Sequence, residues 1–173
     1  DQFLQLENQN LPINFEIKGK IEGAVNQALT LEAQSNKGTI ELARTLIKED
    51  GTFEMKGNIQ GMGIYQLKLG ALDNKVAPLT LEPKDKVFLQ ASYATFESLP
   101  IWSGAKWAEP LTAYMAKFND FAKEQTKLSE QQGLTEEQQI DLFLKMRKPL
   151  DEYAKNQVLK DLTNPVNIIL VTS

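Results

Sequence analysis

The residue types that most often carry enzyme chemistry are scarce in this sequence. It contains no histidine and no cysteine, which excludes an imidazole base, a Ser-His pair, a thiol nucleophile and a sulfur-ligated metal. Adjacent carboxylates remain at Glu49-Asp50 and at Glu136-Glu137, and such pairs can do acid-base work or bind calcium. Each pair lies in a predicted turn or first helical turn, where acidic residues are favoured for local structural reasons. The sequence therefore predicts no catalytic residue, no metal site and no cofactor.

Three aromatic residues are the candidate binding residues. Trp102, Trp107 and Tyr114 fall at the predicted junction between sheet and helix, where their rings would form a stacking platform for sugars or peptide side chains. Packing of the first helix against the sheet explains the same residues equally well. The exposure of the rings decides between these two interpretations.

Two further motifs have simpler structural explanations. Gly61-Met62-Gly63 lacks the third glycine and the strand-to-helix context of a dinucleotide-binding loop, so a tight turn is favoured. The run Lys145-Met146-Arg147-Lys148 is a small basic cluster, but Asp141 and Asp151 flank it. This mixture is typical of a solvated helix face.

Length and charge limit the classes of partner. A chain of 173 residues is most simply one domain, or one domain with an appendage. Its 19 basic and 23 acidic residues are interspersed and give a net charge of -4, so nucleic acid is not an expected partner. Every apolar run is far shorter than the roughly 18 residues of a membrane-spanning helix. The first residue is Asp rather than Met, as in a mature form from which a targeting segment has been removed or as in an engineered chain.

The elements that position these residues divide the chain near residue 104. Nine of the ten glycines lie at or before Gly104, and apolar residues alternate with polar ones through the first part, most clearly from Ile13 to Glu22. Such runs recur roughly every ten residues, the spacing of antiparallel sandwiches and barrels. We expect seven or eight strands, near residues 13–22, 29–33, 39–47, 52–59, 63–69, 76–81, 86–92 and 95–102.

Two turns are expected to link neighbouring strands as hairpins. Lys48-Glu49-Asp50-Gly51 places glycine where a positive φ is needed, and Phe53, Met55 and Ile59 would then face the core. Glu82-Pro83-Lys84-Asp85 uses the fixed φ of proline.

After Ala105 the apolar period becomes that of a helix. A first helix of about six turns carries an apolar stripe, with Pro110 in its first turn. A second helix is predicted to begin at the capping box of Thr135 and Gln138, with Pro149 kinking or dividing it. After Asn164-Pro165 helix and strand both remain open. The sequence thus predicts an α+β fold, with an antiparallel β-sandwich or barrel over 1–104 and a helical hairpin over 105–173.

The order of several phrases resembles a known domain. The phrases are Phe15-Glu16-Ile17-Lys18-Gly19, the stretch from Asp50 to Gly57, Ile64-Tyr65-Gln66-Leu67, and the stretch from Leu81 to Val87. Together they are similar to the N-terminal β-rich domain, of uncharacterised function, that precedes a thioredoxin-like module in cell-envelope thiol-disulfide oxidoreductases of Gram-negative anaerobes. Two departures are Lys84, where that family has a turn glycine, and Ser103-Gly104-Ala105, where it has Gly-Ser.

This resemblance implies an accessory domain and transfers no catalytic residue to any position here. It implies a periplasmic or cell-envelope location, with a lipidated cysteine upstream of Asp1 as one form of membrane anchor. The expected partners are a downstream thioredoxin-like module, which carries the redox Cys-x-x-Cys, and reduced or unfolded envelope proteins.

Three functions are open on the sequence alone. The leading hypothesis is a non-catalytic interaction domain that positions the redox module or contacts its protein substrates. The alternative is a β-sandwich that recognises glycan or peptide through Trp102, Trp107 and Tyr114. A third is a hydrolase that uses carboxylates only, since two acidic side chains suffice to cleave a glycoside.

Overall fold

Alternating apolar residues build two four-stranded sheets that pack face to face in the computed structural model, which describes residues 11–172. The strands are β1 (Phe15–Glu22), β2 (Ala28–Ser35), β3 (Gly38–Leu46), β4 (Thr52–Gly57), β5 (Gly63–Leu69), β6 (Val76–Leu81), β7 (Lys86–Ser92) and β8 (Ile101–Ser103). One sheet has the strand order β4-β1-β7-β8 and the other has the order β3-β2-β5-β6. The predicted sandwich is confirmed, and the sheets do not close into a barrel.

Strand β1 shows how the sequence pattern produces the sandwich. Its side chains Phe15, Ile17 and Ile21 are buried between the sheets, because alternate residues of a strand point to one face. The intervening Glu16 and Lys18 lie on the outer face, where Lys18 Nζ is 3.0 Å from Glu16 Oε1. The core position predicted for Phe53, Met55 and Ile59 is also confirmed.

The sheet containing β1 includes one parallel pair, which local patterns did not predict. Strand β1 runs antiparallel to β4 and parallel to β7. All other strand pairs are antiparallel. Parallel neighbours need a long connection. Here the connection from β1 to β7 contains all four strands of the opposite sheet and also β4.

Both predicted turns form, but they are not hairpins. The amide of Gly51, at φ +83°, donates to the carbonyl of Lys48 over 2.9 Å. This turn joins β3 of one sheet to β4 of the other, and residues 82–85 likewise join β6 to β7. The hairpin expectation is therefore wrong for both turns, because each carries the chain across the sandwich.

The last predicted strand is much shorter than expected. Residues 94–98 form turns rather than extended chain, and the Leu99 amide donates to the carbonyl of Thr95 over 2.8 Å. Phe96 is fully buried within this segment. Only Ile101–Ser103 pairs as a strand, because local hydrogen bonds replace the sheet ladder upstream.

Within the described residues, three helices follow the sandwich: α1 (Ala108–Glu130), α2 (Glu136–Lys160) and α3 (Asn167–Thr172). The predicted capping box is confirmed, since Thr135 and Gln138 each accept from the other's backbone amide. Pro149 lies inside α2 without dividing it. The segment left open by the sequence is the helix α3. No described helix is long and apolar enough to cross a membrane.

The base of the helical segment is tied to both sheets. The Thr112 hydroxyl of α1 accepts a 2.8 Å hydrogen bond from the backbone amide of Trp102 in the edge strand β8. Helix α3 contacts β5 and β6 of the opposite sheet. The side-chain amide of Asn164 donates to the carbonyl of Lys106 over 2.9 Å, which joins the two ends of the α1–α2 hairpin.

Candidate functional site

The three aromatic residues predicted to bind a ligand are brought together, but they are buried. Trp102, Trp107 and Tyr114 are 2%, 0% and 2% exposed. The two indole rings meet edge to face, with 5.4 Å between their centroids. A stacking platform needs an exposed ring face, so recognition of glycan or peptide through these rings is not supported. They are the packing contact between helix and sheet.

Trp107 is fixed at this junction by a carboxylate from an intersheet turn. Its indole Nε1–H donates to Asp85 Oδ2 over 2.9 Å, and the same oxygen accepts the Glu82 amide over 2.9 Å. The Asp85 carbonyl also accepts the amide of Glu16, which begins the pairing of β1. The start of α1, the 82–85 turn and β1 therefore share one hydrogen-bonded cluster.

The α1–α2 hairpin packs on the sandwich at the start of α1 and extends away from it toward the tip. Leu111, Met115 and Phe118 follow one another on a single helix face, because residues three and four apart share a face. Leu111 is fully buried, Met115 is half-buried and Phe118 is 37% exposed. The face that packs on the sandwich at the base of α1 is thus open to solvent nearer the tip.

Helix α2 is held mainly by α1. Of its 25 residues only Leu150 is buried. An aromatic series supports the pair, in which the rings of Phe118 and Phe121 lie 6.1 Å apart and those of Phe121 and Phe143 lie 5.5 Å apart. Helices of 23 and 25 residues are roughly 35 and 38 Å long, so the hairpin forms a long arm.

An apolar groove lies between the two helices near the tip of this arm. Leu128 of α1 and Ile140 and Phe143 of α2 line it, with a volume of about 450 Å³. Ile140 is 55% exposed, and Leu144, one helical turn further on, is 59% exposed. The other lining residues carry no charge: Gln125, Ser129 and Gln139. We call these six lining residues the hairpin groove.

The basic cluster of α2 is neutralised within the helix. Lys145 pairs with Asp141 at 3.1 Å and Lys148 with Glu152 at 3.8 Å. The Arg147 guanidinium lies 5.4 Å from the centroid of the Phe121 ring. The cluster is therefore a solvated helix face beside the groove, and it does not form an anion site of its own.

The chain has no significant match to a protein-family model or to a curated protein sequence. It is similar to a crystal structure of (S)-allantoin synthase, with 13% identity and a TM-score of 0.30, over 53% of this chain and 43% of that one. It is also similar to a 9R-lipoxygenase from Cyanothece PCC8801, with 10% identity and a TM-score of 0.32, over 69% of this chain and 24% of that one. The chain spans less than half of either enzyme, and no inference about it follows from them.

The paired carboxylates have structural roles. Asp50 accepts from both the amide and the hydroxyl of Thr52, at 3.0 and 2.6 Å, and these hydrogen bonds hold the pKa of Asp50 below its ordinary value. Glu136 and Glu137 occupy the first turn of α2, where they complement the helix dipole. Among residues 11–172 no cluster of three or more acidic side chains is placed to hold a metal ion.

Sequence reasoning missed the hairpin groove. Ile140, Phe143 and Leu144 lie on one face of α2, because residues three and four apart share a face. This spacing is that of an ordinary amphipathic helix, and it is the same whether the face packs on a neighbour or stays open to solvent. The exposure of Ile140 and Leu144 in the structure is what identifies the groove.

Proposed function

We propose that this chain is a non-catalytic interaction domain of a cell-envelope thiol-disulfide oxidoreductase, and that its hairpin groove contacts reduced or unfolded protein partners. The family context rests on the sequence resemblance described above. The same resemblance is the ground for proposing a periplasmic or envelope location and a thioredoxin-like partner module. The observation that carries the interaction role is the open apolar groove at the end of the arm.

The chemistry of the groove favours an extended, uncharged segment of a protein chain. Its floor is aliphatic and aromatic, so it takes apolar side chains. Its amide and hydroxyl rim, from Gln125, Ser129 and Gln139, offers donors and acceptors to a peptide backbone. A folded protein keeps most such side chains inside, whereas a reduced or unfolded protein exposes them.

The expected affinity is weak. Burying one or two large apolar side chains contributes about 1.5–3 kcal/mol each, and the loss of translational and rotational freedom opposes it. We therefore expect a Kd of roughly millimolar for a single segment. Weak binding suits a domain that must release its partner.

The test is binding of this domain to a reduced, alkylated and permanently unfolded polypeptide, measured for a matched pair of variants. Ile140→Glu places a charge in the groove and should weaken binding at least about tenfold, because the carboxylate would be desolvated. Leu159→Glu is the control, since Leu159 is 65% exposed on the same helix and lies outside the groove.

Equal loss in both variants, or in neither, contradicts the proposal. Circular dichroism of the two variants checks that α2 stays folded. We expect it to do so, because glutamate is a good helix former at exposed positions. If the unfolded polypeptide does not bind while a thioredoxin-like module binds in an Ile140-dependent manner, the groove positions the module and does not contact substrates.

A further inference from the structure

A second groove lies on the outer face of the sheet β3-β2-β5-β6. Unlike the hairpin groove, it is lined by charged side chains. It has a volume of about 510 Å³ and polar walls that include Arg44, Lys68 and Glu32. Its floor contains Thr30, which is only 6% exposed although it points away from the sandwich core. The Thr30 hydroxyl forms no hydrogen bond to another described residue.

The strand register arranges the charges of this groove in two rows. Thr30 lies directly between Arg44 of β3 and Lys68 of β5, so two cations flank the hydroxyl. Two residues further along β2, Glu32 lies directly opposite Glu41. Arg44 and Lys68 therefore form a cationic row, and Glu32 and Glu41 form an anionic row. The two rows lie on the same face of the sheet, two residues apart along β2.

A β-bulge creates this arrangement. The β2–β3 register shifts between Leu31 and Glu32, so Leu42 is the extra residue of β3. Arg44 and Glu41 are three apart and would point to opposite faces of a regular strand. The bulge places both on the outer face, where Arg44 Nε donates to Glu41 Oε1 over 2.8 Å. Bulges are common where a strand must redirect a side chain toward a functional site.

The charges are incompletely paired among the described residues. Glu32 forms no ion pair, and its register partner Glu41 is another carboxylate. Like charges directly opposite each other are unfavourable. Lys68 Nζ lies 3.1 Å from Asp73, but the Asp73 side chain is 98% exposed. Both Arg44 contacts go to the same Glu41 oxygen, which leaves other guanidinium N–H groups free to donate.

We propose that this groove binds a short peptide with free termini. Its carboxylate would lie over Thr30 between Arg44 and Lys68, and its ammonium group would lie between Glu32 and Glu41. Same-face neighbours on a strand are roughly 6.6 Å apart, and each peptide residue spans up to about 3.6 Å. The two rows therefore match the termini of a dipeptide.

The first experiment titrates the whole 173-residue chain with L-alanyl-L-alanine and follows the backbone amide signals of β2, β3 and β5 by NMR. We expect saturable shifts on these strands, with a Kd of roughly millimolar. The N-acetylated and the C-amidated dipeptides should each bind at least about tenfold more weakly, because each leaves one charged row without its partner.

Two variants then assign the rows. Arg44→Gln should weaken the free dipeptide and abolish its advantage over the amidated form, whereas Glu32→Gln should abolish its advantage over the acetylated form. Lys56→Gln, on the outer face of the other sheet, is the control and should change neither preference. The proposal is overturned if no shifts appear up to about 50 mM ligand, if blocked dipeptides bind equally well, or if an uncharged disaccharide produces the same shifts.

Discussion

Removing the carboxylate of Asp85 should destabilise the contact between the start of α1 and the sandwich. Asp85 Oδ2 accepts from the indole of Trp107 and from the amide of Glu82, each over 2.9 Å. Trp107 is fully buried, so in Asp85→Ala its N–H group is left without a partner, at a cost of about 1–3 kcal/mol. Losing the Glu82 bond adds about 0.5–1.5 kcal/mol. We therefore expect unfolding to become easier by roughly 2–4 kcal/mol.

A double-mutant cycle with Trp107→Phe isolates the indole contribution. In that background no indole N–H group is stranded and only the Glu82 hydrogen bond is lost, so Asp85→Ala should destabilise by only about 1 kcal/mol. Asp85→Asn keeps an acceptor oxygen and should lie between the wild type and Asp85→Ala. Urea unfolding followed by far-ultraviolet circular dichroism gives each free energy without relying on tryptophan fluorescence. An Asp85→Ala effect below about 0.5 kcal/mol, or one unchanged in the Trp107→Phe background, would refute this reasoning.

Three further predictions concern the backbone and its turns. A methyl group at Gly19 would overlap the carbonyl oxygen of Leu89, so Gly19→Ala should destabilise by at least about 3 kcal/mol or yield no folded protein, as judged by circular dichroism. Lys84 has a φ of +79°, which disfavours L-residues, so Lys84→Gly should raise the unfolding free energy by about 0.5–1 kcal/mol. Hydrogen bonds from Thr52 lower the pKa of Asp50 from its ordinary value of 3.8. Ionised Asp50 therefore stabilises the folded state when the pH is above 3.8, and this stabilisation is lost as the pH falls through the lowered pKa. Asp50→Asn should therefore flatten the acid side of a stability-versus-pH curve.

The sheet pattern was readable from the sequence because it depends on neighbouring residues. The alternation through Phe15, Ile17 and Ile21 reports which face is buried, and recurring runs of this kind predicted a sandwich or a barrel, of which the structure shows the sandwich. The parallel pairing of β1 with β7 was not readable, since both strands have the same alternation in either direction. The lysine at position 84 does not by itself mark a positive φ, because glycine is the usual marker of that conformation, and only the turn glycine of the resembling family pointed to it.

The candidate sites were harder to predict for physical reasons. Trp102, Trp107 and Tyr114 have the same spacing whether they pack on a sheet or face solvent, and only the tertiary contact of α1 decides. The polar groove was hidden by a different effect. Period-two alternation places Glu41 and Arg44 on opposite faces, and the bulge at Leu42 reverses that parity.

The most direct measurement of the interaction role is an NMR map of where an unfolded, reduced and alkylated polypeptide contacts the isotopically labelled domain. The proposed function predicts chemical-shift changes concentrated at the tip of the α1–α2 hairpin, across residues 125–144, with the β-strands unaffected. No changes up to about millimolar polypeptide, or changes confined to the sandwich, would contradict it.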